Sequence, residues 1–87
     1  MMSDLEFEVL DELYFIQSFN ELLEVTDLED ADLKSVLKKL LRKEWLQCYE
    51  NVNDRVDDEN LDFDLNFRRY HYLASKKGLL AHNSSKS

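Results

Sequence analysis

Six acids crowd into the stretch DRVDDENLDFD: Asp54, Asp57, Asp58, Glu59, Asp62 and Asp64. Clustered carboxylates are what Ca²⁺ and Mg²⁺ take as ligands. Their spacing does not follow the D-x-[DN]-x-[DN]-G loop, no glycine supplies the sharp turn and no second motif accompanies the cluster, so no metal site is expected. His71 and His82 are the only histidines and Cys48 the only cysteine. Cys48 reads as a small hydrophobe within a strand, suited to a reducing compartment, and His71 as a surface or cross-strand residue. The two could face one another across a hairpin, but two ligands do not make a zinc site. No Ser/Cys-His-Asp arrangement and no glycine-rich phosphate loop is present, and 87 residues leave little room for a substrate pocket. The expectation is a protein without enzymatic activity, cofactor or metal.

Charge is the feature that remains. The net charge of −8 counts against nucleic acid, because phosphate contacts come from Lys and Arg. It is, however, segregated. Residues 1–32 hold eleven acids and no base, residues 33–49 hold five bases and one acid, residues 51–67 hold six acids and one base, and residues 68–87 hold five bases and no acid. No apolar run approaches the roughly 18 residues that span a bilayer, and the acidic start MMSDLEFEVLDEL is unlike a signal peptide. A cytoplasmic protein with no membrane association is expected.

These charges need elements to position them. Leu5, Val9, Leu13 and Ile16 recur at helical spacing, with Phe7, Leu10 and Tyr14 beside them, which predicts a helix over residues 4–17. Ser18-Phe-Asn-Glu21 has the form of a capping box and starts a short second helix that ends near Val25, before the turn residues Thr26-Asp27. A third helix runs from Glu29 or Asp30 to about Glu44. At 100° per residue it places Leu33, Val36, Leu37, Leu40 and Leu41 on one side and Lys34, Ser35, Lys38, Lys39 and Arg42 on the other. LQCYE (46–50) and FRRYHYLA (67–74) are rich in strand formers and can pair as an antiparallel hairpin. Between them residues 51–60 read as a solvated, flexible acidic loop. The alternation of Leu61, Phe63, Leu65 and Phe67 suggests a half-buried strand or a flap laid on the core. ASKKGLLAH (74–82) reads as a last strand turn or a short helix, and the tail after it as frayed.

Helix, short helix, turn, helix, hairpin is the order of a winged helix-turn-helix domain, and residues 18–46 fit that pattern without a gap. Ser18 stands at the capped start, Glu21-Leu22 as the Glu-Leu pair, and Leu28, Leu33, Leu37 and Leu40 at the apolar positions, with Glu44-Trp45-Leu46 as the exit. YHYLASKKGLL is similar to the Tyr-x-Leu-Thr-x-x-Gly ending of second wing strands in small bacterial regulators of the MarR and PadR types. The chain departs from the pattern at Leu23, where a small residue is usual, and at Asp27 and Glu44, where glycine is usual. Asp tolerates left-handed backbone, whereas Glu44 disfavours a left-handed exit and suggests a helix that runs straight into Trp45.

The resemblance implies an α+β fold, a single winged-helix domain over residues 1–83 with a three-helix core, a two- or three-stranded antiparallel wing and a disordered tail at 84–87. It also implies a DNA-binding regulator of transcription. Residues 30–42 would be its recognition helix, and Lys34, Ser35, Lys38, Lys39, Arg42, Arg68 and Arg69 would meet double-stranded DNA. Asp30, Asp32 and the acids of the wing would repel it. The alternative is an interaction module on the same scaffold, docking a basic protein or a second copy of itself, with Phe19, Phe63 or Tyr70 as aromatic anchors.

Overall fold

Two serines start helices in the same way. Ser3 Oγ accepts from the Glu6 N–H at 3.2 Å while the Glu6 carboxylate takes the Ser3 N–H at 3.0 Å, and Ser18 and Glu21 repeat the exchange at 3.1 and 2.9 Å. Each box satisfies amide donors that a helix start otherwise leaves unpaired. The computed structural model describes residues 2–57 and 59–85, so that Asp58 of the acid run and residues 86–87 of the tail lie outside it. The elements are α1 (Asp4–Glu12), β1 (Gln17–Ser18), α2 (Phe19–Thr26), α3 (Asp30–Arg42), β2 (Leu46–Asn51), β3 (Asp54–Arg55), α4 (Phe63–Asn66), β4 (His71–Ala74) and α5 (Lys76–Ser85). Among the described residues these make an α+β fold of five helices and one four-stranded antiparallel sheet, ordered β1-β4-β2-β3. Three helices and two or three strands were expected.

The first helix stops five residues short of the expected end at residue 17. Gln17 and Ser18 pair instead with Tyr72 and His71, the Ala74 N–H donates to Leu13 O, and the Gln17 side chain donates to the Glu12 carbonyl. Sheet pairing overrides a helical period that continues on paper through Leu13 and Ile16. The second and third helices fall close to their expected bounds. Leu33, Val36, Leu37 and Leu40 are buried as the period requires, around a core that also holds Val9, Leu10, Leu13, Phe19, Leu22 and Tyr72. The Tyr72 phenol, its pKa pushed upward by burial, donates to Phe67 O at 2.7 Å.

Two turns carry left-handed backbone without glycine: Asp27 (φ 58°) ends α2 and Glu44 (φ 63°) follows α3. The helix therefore does not run straight into Trp45, as Glu44 had suggested. Trp45 O accepts from the Ser75 N–H at 2.9 Å, Glu44 O accepts from Ser75 Oγ at 2.7 Å, and Ser75 Oγ accepts from the Gly78 N–H at 3.0 Å. A Cβ on Gly78 would stand 2.1 Å from Trp45 O. The motif ASKKG thus fastens the start of α5 to the exit of α3, and glycine is there for close approach rather than for a turn. Helix α5 extends to Ser85, into the first part of the segment expected to fray.

Strand pairing joins Leu46–Tyr49 to His71–Ala74, so the expected hairpin holds for those residues while Phe67–Tyr70 lie outside the strand. Cys48 pairs with Tyr72, and His71 with Tyr49, so Cys48 and His71 do not face one another. The segment expected as an acidic loop opens with a β-hairpin turn between Asn51 and Asp54. There the Asn51 side chain accepts from the Asn53 N–H and donates to Asp54, both at 2.8 Å, doing the work of the absent glycine or proline; Val56 beyond it is buried.

Candidate interface on the third helix

Residues 61–69 decide what α3 presents. Asp62 caps α4 by accepting from the Leu65 N–H, and the helical turn puts Phe63 and Phe67, four apart, on one side. The two rings are 5.8 Å apart; Phe67 meets Phe19 at 5.1 Å and Phe63 meets Tyr72 at 6.3 Å. Phe63 is 8% exposed and Leu65 77%, so the segment follows helical and not alternating burial. It is the flap that the pattern allowed, not the strand. Tyr70 Oη accepts from the Asp62 N–H at 3.2 Å and from Asn66 Nδ2 at 3.4 Å, which ties the two ends of the flap together.

Fixed by those rings, Asp64 reaches the basic side of α3. Lys38 Nζ donates to both its carboxylate oxygens at 3.0 and 3.2 Å, and Lys34 Nζ stands 3.8 Å from one of them and 4.7 Å above the Phe67 ring. The Lys38 hydrogen bond, with further attraction from Lys38, Lys34 and Arg42, holds the Asp64 carboxyl below its ordinary value. Asp64 remains 61% exposed in its side chain, and solvent-screened surface pairs of this kind contribute little to stability. Burying a phenylalanine contributes roughly 1.5–3 kcal/mol. The rings therefore fix the flap in place, and Asp64 sets the charge of the face beneath it.

The remaining candidates divide. Arg68 pairs with Asp30 and lies over the rings of Phe19 (5.6 Å) and Phe67 (5.2 Å), which gives Asp30 a structural task. Arg69 is exposed and donates to Asn66 Oδ1 at 3.2 Å. Ser35 and Lys39 are exposed further round the helix. Lys34 and Lys38 thus meet Asp64 and Arg68 lies over Phe67, while Ser35 and Lys39 are exposed away from the flap and Arg69 is held to Asn66 within it. Two acids stand among these bases, Asp64 against Lys34 and Lys38 and Asp30 against Arg68. The proposed aromatic anchors are core residues: Phe19, Phe63 and Tyr70 are all buried.

Two groupings join residues far apart in the sequence. Glu6 is 3% exposed, with Lys43 Nζ 2.7 Å from Oε2. Burial acts to raise its pKa, but the hydrogen bonds from Lys43 and Ser3 together outweigh it and leave the value lowered. His82 is fully buried on α5, stacked 4.1 Å from Phe7, with Nδ1 2.9 Å from Tyr14 Oη and Nε2 3.2 Å from Asp11 without hydrogen-bond geometry. Partners this far apart in the chain leave no local spacing to read. Among the described residues no three His, Cys, Asp or Glu side chains converge as metal ligands would, and no helix is long and apolar enough to cross a membrane. Comparison with protein-family models, curated proteins and solved structures returns no match.

Proposed function

We propose that the chain is a winged helix-turn-helix module that docks a protein partner instead of reading a duplex. The element order and the residues from Ser18 to Leu46 support the scaffold. One observation carries the choice of role: the Asp64 carboxylate sits between Lys34 and Lys38 on a flap whose rings belong to the core. A groove-reading helix needs that face positive and uncovered. The partner this surface suits is basic, since α1 and α2 expose Asp4, Glu8, Asp11 and Glu24 and contain no base, and such a field steers a cation-rich partner towards them.

Lys39, Arg42 and Arg69 are exposed, and they are what favours the second reading, a duplex-binding regulator. Fluorescence anisotropy with a random duplex and with a lysine-rich peptide, each over a salt series, separates the two. The docking role predicts duplex binding weaker than about 100 µM near physiological salt, the weak end of non-specific affinity, and peptide binding that falls as salt rises. Micromolar duplex affinity with a steep salt slope, and none for the peptide, would overturn it.

A further inference from the structure

Asp64 occupies its seat in the manner of a ligand. It places two oxygens on one ammonium, with a second ammonium 3.8 Å away. Lys34, Lys38 and Arg42 follow one another at four-residue steps, about 6 Å each along the axis, and so form a row of cations along one helix face. A backbone phosphate offers such a row two anionic oxygens, as a carboxylate does, and pairs with Lys and Arg by the same charge-assisted hydrogen bonds. The flap itself is fixed by Phe63 and Phe67, so the charge of Asp64 can be removed without moving the rings.

We infer that Asp64 is a built-in competitor for the phosphates of a nucleic-acid backbone, closing by its charge a phosphate-binding row made of Lys34, Lys38 and Arg42. This goes beyond the docking role and does not depend on it. In the wild-type chain the carboxylate engages Lys38 and lies 3.8 Å from Lys34; loss of the Asp64 charge releases both ammonium groups.

The test measures affinity for a random duplex at about 50 mM salt and upward, where phosphate contacts are strongest. Asp64→Asn is expected to bind about tenfold tighter than wild type, with a log–log salt slope steeper by about 2, as two further phosphate contacts require. Lys38→Ala added to Asp64→Asn is expected to return affinity to the wild-type level. Glu50→Gln removes the same charge from an exposed position on β2 and is expected to stay within about twofold of wild type, which separates the row from net charge. Thermal melts establish that each variant is folded, and Asp64→Ser repeats the measurement should the asparagine variant not fold. Affinity of the folded Asp64 variant within about twofold of wild type, or a gain matched by Glu50→Gln, would overturn the inference. Tight duplex binding by the wild type bears on the docking role alone, because the inference is read from the ratio of variant to wild type.

Discussion

Glu6 looks like one more acid on an acidic helix, yet it is the charge the core depends on. Its carboxylate is buried between the Ser3 N–H and Lys43 Nζ, and taking one partner from a buried pair leaves an uncompensated charge. Lys43→Ala is expected to cost about 3 kcal/mol in denaturant unfolding, and Glu6→Gln less, since the amide keeps the contacts and carries no charge. Because the folded-state pKa of Glu6 is lowered, its contribution is complete above its ordinary value of 4.5 and is lost as pH falls through the lower folded value. The acid limb of the stability profile should therefore flatten in Glu6→Gln; an unchanged limb would remove Glu6 from the account. Gly78 is the second residue whose role only the structure reveals. Gly78→Ala drives a methyl into Trp45 O, and a melting temperature lower by roughly 10 °C or more is expected, as about 2 kcal/mol requires in a domain this size. The composition of ASKKG marks a helix boundary, but the backbone it rests against lies more than thirty residues away in the chain.

At the scale of elements, the sequence reads well where local chemistry and tertiary packing agree. The Ser18–Glu21 box, the apolar face of α3 and the left-handed Asp27 follow from neighbours within four residues. It reads poorly where a distant partner competes. Helix α1 loses its last turn to the pairing of Gln17 and Ser18 with β4; α4 replaces an apparent strand because Phe63 and Phe67 meet Phe19 and Tyr72. Glu44 is the local conflict, an L-residue at φ 63° held there by the Ser75 contacts. Glu44→Gly is expected to raise stability by about 0.5–1 kcal/mol, with only its exposed contact to Lys77 lost; a decrease in the denaturant midpoint would contradict this. Phe63→Ala should cost about 3 kcal/mol and raise amide hydrogen exchange first in residues 63–69, whereas uniform loss of protection would show that the flap is not a separate unit.

Over the whole molecule, the charge segregation visible in the chain is resolved by folding. Acid from the segment between β3 and β4 is laid on base from α3, and Asp30 at the start of α3 takes up Arg68. That pairing was illegible in the sequence, since the acid run identifies itself as solvated and only the two rings around Asp64 bring it back to the fold. The exposed acids of α1 and α2 keep their field, which is what gives the proposed docking role a basic partner. All of this turns on Asp64 being seated on Lys38. Carbon-detected NMR titration of the Asp64 side chain measures that contact directly. The account predicts a midpoint below the ordinary aspartate value, moving back up towards it in Lys38→Ala. A midpoint at the ordinary value that ignores Lys38 would mean the face of α3 is open, and would contradict it.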